Sequence, residues 1–101
     1  MQIARVKGNV VSTNKAEKML GMKLLVVKPI DLDTMEEKGA LVVAVDAVGA
    51  GENEVVMLVG GSSSRQTANT DNKPVDMAIV AIIDHIDIQG KRVFEKFENG
   101  N

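Results

Sequence analysis

The chain has 101 residues, of which 45% are hydrophobic, 12 are basic and 14 are acidic. This length supports one domain with a single core, and the near balance of charge excludes a strong electrostatic attraction to nucleic acid or to an anionic membrane. Because the chain has no cysteine, disulfides, thiolate nucleophiles and cysteine-bound metals are excluded. Two phenylalanines are the only aromatic residues, so we expect an aliphatic core.

Short apolar runs rich in β-branched residues recur along the chain, separated by Gly, Asn and Asp, which is typical of a small all-β domain. Residues 16–20 and 62–68 each have room for one short helical turn. No run is long enough to span a bilayer and the N-terminus lacks the pattern of a signal peptide, so we expect a cytoplasmic protein with no membrane partner. The predicted strands are residues 2–13, 23–28, 41–46, 55–59 and 77–84.

The first predicted strand alternates between apolar and polar residues. The even-numbered residues from Ala4 to Val10 share one face, and the odd-numbered residues from Arg5 to Asn9 share the other. This alternation predicts a half-exposed strand. Gly8 lowers the strand propensity in its middle, so we expect it to allow the sharp bend of a barrel corner.

The other predicted strands are apolar on both faces. Parallel sheets bury both faces under crossover helices, but most connections here are shorter than the roughly ten residues that such a crossover needs. An antiparallel barrel remains, and its outer faces need cover. A monomer with such faces exposed would carry unusually large apolar patches, so we expect a homo-oligomer, most simply a closed ring whose subunit number the pattern does not specify.

Two glycine-containing segments resemble anion-binding loops. The connection 46–54 contains Gly49 and Gly51 but lacks the lysine of a phosphate loop and the third glycine of a dinucleotide fingerprint, so a tight turn is the better interpretation. Residues 60–65 offer backbone donors, serine hydroxyls and the guanidinium of Arg65. The simpler interpretation of this second segment is a strand end that turns into a short capped helix.

The only histidine, His85, follows the last long apolar run. A catalytic triad would combine it with Asp84 or Asp87 and a serine from residues 62–64. Adjacent residues on a strand point to opposite faces, so Asp84 is badly placed to orient His85, and a surface histidine at a strand end is the preferred interpretation. No metal-ligand spacing is present either. The sequence therefore predicts no catalytic residue, no metal site and no cofactor.

Four stretches, residues 3–15, 20–27, 44–51 and the pair 60–66 with 74–84, resemble the EutN/CcmL family of bacterial microcompartment vertex proteins. The most specific part is Val-Asp-x-Val-Gly-Ala-Gly, followed at a family-like distance by Gly-Ser-Ser-x-Arg-Gln and Pro-Val-Asp. Ser64 stands where the family usually has alanine, and Asn53 stands where a glycine is common.

The resemblance implies a five-stranded barrel related to the OB-fold, assembled as a cyclic homopentamer at the vertices of a polyhedral shell. We expect one domain over residues 1–101, with the barrel in residues 1–88 and a C-terminal extension in residues 89–101. The function would be architectural and not enzymatic, in the microcompartment shell, with hexameric shell proteins as partners. The candidate pore or subunit-interface residues are Gly49, Ala50, Gly51, Ser62, Ser63, Arg65 and Asp76.

Two alternatives come from other functional classes. OB-folds often bind single-stranded nucleic acid through stacking aromatics and a basic groove. This chain has neither tryptophan nor tyrosine, and it offers only a modest basic strip: Arg5, Lys7, Lys15, Lys23 and Lys28. The second alternative is an enzyme whose active site forms between subunits, and it would use Arg65, Asp76 and His85.

Overall fold

The computed structural model describes residues 1–11, 23–60 and 77–96, and every regular element in these ranges is a β-strand. The predicted all-β class is confirmed. The helical turns predicted at 16–20 and 62–68 lie outside the described residues. None of the three ranges contains a helix long and apolar enough to cross a membrane. The strands are β1 Gln2–Val10, β2 Leu24–Asp31, β3 Glu36–Glu37, β4 Val42–Asp46, β5 Val55–Gly60, β6 Met77–Ile82, β7 His85–Ile88 and β8 Lys91–Glu95.

Five of these strands close a barrel. β1 pairs with β2 and β5, β5 pairs with β6, β6 with β4, and β4 with β2, so the ring of pairings returns to β1. The predicted five-stranded barrel is confirmed. The prediction that all its strands are antiparallel is wrong, because β4 and β6 run parallel. A closed ring with an odd number of strands cannot alternate direction throughout, so at least one neighbouring pair must be parallel.

The barrel interior is aliphatic, as the composition predicts. Leu58 and Ile79 are its largest fully buried side chains, each 0% exposed. Burying a side chain of this size stabilises a fold by about 1.5–3 kcal/mol relative to leaving it in water. The interior cluster consists of Ala4, Val6, Leu25, Val27, Ala44, Ala50, Val56, Leu58 and Ile79.

A β-bulge interrupts β1 between Val6 and Gly8, where the pairing with β2 shifts register. Val6 lies opposite Val27, which is in the interior cluster, but Gly8 lies opposite Val26, which is not. Since directly opposite residues share one face of a sheet, Gly8 lies on the outer face and not beside Val6. The unbroken alternation predicted for this strand is therefore wrong beyond Val6, because the bulge inserts an extra residue.

A two-stranded hairpin, β7 and β8, follows the barrel. Gln89 and Gly90 join its strands with φ values of 52° and 80°, as a two-residue type I′ turn requires. The hairpin packs Ile86 and Phe94 against a second apolar cluster on the outside of the barrel, formed by Ile3, Ile30 and Val55. β6 is therefore the last strand of the barrel, and residue 88, where we expected the barrel to end, is the last residue of β7 in the hairpin. Part of the barrel's outer face is covered by the chain itself.

We expect Phe94 to stabilise the packing of this hairpin on the barrel. It is half-buried against the outer cluster, and the guanidinium carbon of Arg5 lies 6.0 Å from its ring centroid. Phe94→Ala should lower the free energy of unfolding by about 1–3 kcal/mol, less than a fully buried phenylalanine would cost. Urea unfolding measures this loss. Val93→Ala, at the neighbouring and exposed position, should change stability by less than about 0.5 kcal/mol, and equal losses in the two variants would contradict this role of Phe94.

Candidate functional site

The loop after β4 is organised around the carboxylate of Asp46. This side chain is 0% exposed and accepts three backbone hydrogen bonds, from the amides of Val48 at 3.0 Å, Gly49 at 2.9 Å and Ala50 at 2.8 Å. The converging amides form a nest for an anion, but the chain's own carboxylate occupies it. The interpretation of this segment as a tight turn is confirmed, and its backbone donors are not available to an external phosphate.

Lys23, just before β2, completes this loop. Its Nζ atom lies 3.6 Å from Oδ2 of Asp46 and donates a hydrogen bond of 3.2 Å to the carbonyl of Ala50. The lysine side chain is 55% exposed, whereas the carboxylate is buried. A buried carboxylate is tolerated when hydrogen bonds and a cation compensate its lost hydration, so this ion pair and the three amides together account for the burial of Asp46.

The three candidate residues in this loop differ in exposure. Gly49 is exposed with φ of 82°, a conformation that side chains rarely adopt, and no atom lies within 4 Å of a Cβ placed there. Gly51 is exposed beside Glu54, and Ala50 points its methyl group into the barrel interior. Ala50 is only 1% exposed as a whole residue, so only the two glycines are at the surface. The remaining candidates lie outside the described residues: Ser62, Ser63, Arg65 and Asp76.

A second turn connects this loop to β1. Asn53 has φ of 71°, its amide donates a 2.8 Å hydrogen bond to the carbonyl of Val6, and the amide of Val6 donates one of 2.9 Å to the carbonyl of Glu54. Asparagine enters the left-handed region more readily than most residues, which explains how it is accommodated at this position. Arg5 also donates to the carbonyl of Asn53, at 2.7 Å.

Glu54 links the same turn to the hairpin. Its Oε1 atom accepts a hydrogen bond from the amide of Gly51, and its Oε2 atom forms an ion pair with Nζ of Lys96. The Lys96 ammonium, followed by the amide of Gly51, lowers the pKa of Glu54 below its usual value. The amide of Lys96 donates to the carbonyl of Asp84 at 2.8 Å. The end of β8 is thus held to both the loop and the chain segment before β7.

Of the basic strip considered for nucleic acid, Arg5, Lys7 and Lys23 are paired with acidic side chains, whereas Lys28 forms no ion pair with the described residues. Glu37, on β3, lies 3.4 Å from Nε of Arg5 and 2.9 Å from Nζ of Lys7. Lys23 faces Asp46, and Lys15 lies outside the described residues. These pairings leave little free positive charge for a phosphate backbone, whose neutralisation dominates affinity for nucleic acid.

The candidates for metal and triad chemistry do not come together in the described part of the chain. His85 is exposed at the start of β7, opposite Glu95 of β8. Within residues 1–11, 23–60 and 77–96, no three potential ligands cluster as a metal site would require. The serines that a triad would use lie outside these ranges.

Sequence reasoning predicted apolar outer faces without locating them, and it missed a groove beside the hairpin. One such face, which we call the outward face, covers β1, β2 and β4 on the outside of the barrel and comprises Gly8, Val10, Leu24, Val26, Leu41 and Val43. The apolar character of both faces of β2 and β4 indicated this face in the sequence. Nothing in the sequence indicated the bulge that adds Gly8 and Val10 to the face. The hairpin groove lies between the turn after β2 and the hairpin and is lined by Leu32, Asp33, Thr34, Met35, Ile88, Gln89, Lys91 and Val93.

Comparison with known proteins places these features in a family context. A family model described as ethanolamine utilisation protein EutN/carboxysome matches residues 1–84. The carboxysome shell vertex protein CcmL of Synechococcus elongatus is 39% identical over 99 residues, covering 98% of this chain and 99% of that protein. The match to the family model therefore ends just before β7, whereas the similarity to this CcmL covers nearly the whole chain.

Solved structures agree with the sequence matches. The structure of CcmL from Gloeobacter violaceus superimposes with a TM-score of 0.89 at 38% identity, covering 95% of this chain and 98% of that one. The pentameric microcompartment shell protein GrpN from Rhodospirillum rubrum superimposes with a TM-score of 0.78 at 40% identity, covering 87% of this chain and 99% of that one. The barrel and its closure are thus shared with both proteins.

Asp46 is expected to matter far more for stability than the lysine that faces it. Asp46→Ala would leave three amides without their acceptor and should lower the free energy of unfolding by roughly 3 kcal/mol. Lys23→Met should cost less than about 1 kcal/mol, because an exposed ion pair contributes little. Urea unfolding of both variants tests this. Similar losses would show that the ion pair, and not the amide nest, holds the loop.

Glu54 is expected to make stability depend on pH. Its pKa is lower in the folded state than its ordinary value of 4.5, so its contribution is complete above that value and is lost as pH falls through the folded-state pKa. Glu54→Gln should therefore lower the melting temperature at neutral pH, and its difference from the wild type should shrink as pH falls below 4.5. Glu52→Gln, at an exposed position in the same turn, is the control. A constant difference across this pH range would exclude the ionised form of Glu54 as its source.

Proposed function

The chain belongs to the EutN/CcmL family of shell vertex proteins, and we propose that it forms a cyclic homopentamer that caps the vertices of a bacterial microcompartment shell. The observation that carries the proposal is similarity to shell vertex proteins over nearly the whole chain, in sequence and in fold. The pentameric state is supported by GrpN, which is described as pentameric and is 40% identical to this chain.

The proposed mechanism is geometric. Flat layers of six-fold tiles do not close into a shell, and five-fold units introduce the curvature that closure requires. A rigid subunit suits this function, because the angle between neighbours in the ring depends on the shape of the barrel. The chain's contribution is therefore a closed barrel whose loops are held by buried and paired charges, such as those of Asp46 and Glu54.

We propose an architectural protein with no reaction of its own, located in the shell inside the bacterial cytoplasm, with hexameric shell proteins as its partners. Several polar groups that chemistry would need have structural roles instead. Asp46 binds three amides of its own loop, and Glu37 pairs with both Arg5 and Lys7.

We propose that the candidate interface residues lie at the boundary between subunits or around the axis of the ring. Gly49 and Gly51 support this part, because they are exposed and have no side chain to obstruct a neighbour's backbone. Ala50 gives no such support, because it is 1% exposed and belongs to the interior cluster. Ser62, Ser63, Arg65 and Asp76 are proposed with them on the family resemblance alone, and pairing between Arg65 and Asp76 remains a prediction.

Native mass spectrometry of the purified chain tests the assembly. We expect a dominant species of five chains at micromolar concentration, and a dominant monomer would contradict the proposal. Shell closure is tested by expressing a hexameric shell protein with and without this chain and examining the particles by electron microscopy. Closed polyhedra should require the chain, and equally closed particles in its absence would show that it does not fill the vertices.

A further inference from the structure

The outer surface of the barrel has two apolar parts, and the hairpin covers only one of them. On one part, Ile3, Ile30 and Val55 are 8%, 8% and 1% exposed, because Ile86 and Phe94 of the hairpin pack on them. The chain therefore covers this part with its own C-terminal strands. The outward face receives no such cover from the hairpin.

The outward face consists of two adjoining rows across three strands. In one row Gly8 of β1 lies opposite Val26 of β2, which lies opposite Val43 of β4. In the other, Val10 lies opposite Leu24, and the exposed face ends beyond Leu24 because the next residue of that row, Val45, is only 3% exposed. Leu41, two residues before Val43 and thus on the same face, extends the first. None of these six residues is charged, and Val43 and Leu41 are 50% and 56% exposed.

Gly8 provides a second observation, independent of the exposures. Glycine is usually needed where φ is positive or where a side chain has no space, and neither reason applies to Gly8 among the described residues. Its φ is not among the positive values, and no atom lies within 4 Å of a Cβ placed on it. A glycine in the middle of a strand also marks a place where another backbone comes close. The open space over Gly8 lies beside Val26, in the middle of the outward face.

We infer that the outward face is a surface on which the neighbouring subunit of the ring packs, with that subunit's chain passing closest over Gly8. The inference rests on the proposed pentamer and specifies which side of the barrel builds it. A second copy of this chain is the occupant because a 40% identical relative is pentameric and because an uncharged, apolar face is typical of permanent homo-oligomer interfaces.

The location of the face agrees with the candidate interface loop. The amide of Asp46, at the end of β4, donates a 2.9 Å hydrogen bond to the carbonyl of Lys23, which immediately precedes Leu24. The loop with Gly49 and Gly51 therefore begins at the end of the outward face. Val48, within this loop, is 40% exposed and continues the apolar surface. One neighbour could thus cover the face and contact the exposed glycines together.

A steric variant tests the inference. Gly8→Phe adds a side chain into space that no described residue occupies, so the barrel should fold and melt cooperatively, but the ring should be lost. Lys38→Phe is the control, since this lysine side chain is 78% exposed and lies outside the outward face. We expect native mass spectrometry to show monomers for Gly8→Phe and pentamers for Lys38→Phe. A folded Gly8→Phe variant that forms rings as well as the wild type would overturn the inference.

Thiol labelling gives a second measurement that does not require ring disruption. Because the chain has no cysteine, Val43→Cys and Lys38→Cys each introduce a unique thiol. In the assembled ring, a bulky maleimide should label Val43→Cys at least about tenfold more slowly than Lys38→Cys, since a residue in a subunit interface is shielded from reagent. Equal rates in intact rings would refute the inference and leave the proposed pentamer standing. A monomeric wild type would instead refute the pentamer itself.

Discussion

The need to cover the outside of the barrel governs the rest of this molecule. A barrel of five strands is narrow enough for alanine, valine, leucine and isoleucine to fill its interior without an aromatic residue. The same strands carry apolar side chains on their outer faces, and burying those faces contributes free energy only if something packs on them. The hairpin covers Ile3, Ile30 and Val55 within the chain. The outward face is the part that an assembled ring would cover.

Paired charges hold the connections of the barrel in place. Asp46 binds its own loop to β4, Glu54 binds the next turn to the end of the hairpin, and Glu37 binds β3 to β1 through Arg5 and Lys7. The contacts of Glu54 and Glu37 join elements that are distant in sequence, whereas those of Asp46 with its loop amides are local. A subunit whose loops are fixed in this way presents the same surface to each neighbour, which a symmetric shell component requires.

Gly49 and Asn53, between β4 and β5, show how local backbone conformation holds this connection in place. Gly49 turns the chain so that consecutive amides converge on Asp46, and Asn53 turns it again so that its amide reaches Val6. Both have φ in the left-handed region. The loop that resembles an anion site is therefore a self-contained structure, and its exposed glycines are the part that we propose takes part in assembly.

The sequence by itself determined the all-β class, the approximate position of each barrel strand, the aliphatic core and the turn at Gly49. These features are local, because runs of β-branched residues and left-handed turn residues express their preference within a few positions. The family resemblance added the OB-like closure. The predicted alternation in β1 held as far as Val6, where a bulge without a sequence signature moved Gly8 and Val10 outward.

Tertiary structure alone decided which distant groups meet. The parallel pairing of β4 with β6 follows from closing an odd number of strands, and no residue in either strand encodes it. The hairpin's strands were not recognised, because His85–Ile88 and Lys91–Glu95 are short and mostly exposed and gain their stability from packing on the barrel. Arg5 reaches the carbonyl of Asn53 across 48 positions of sequence. Such contacts depend on the closed barrel, because these strands lie side by side only when all the strand pairings of the barrel are in register.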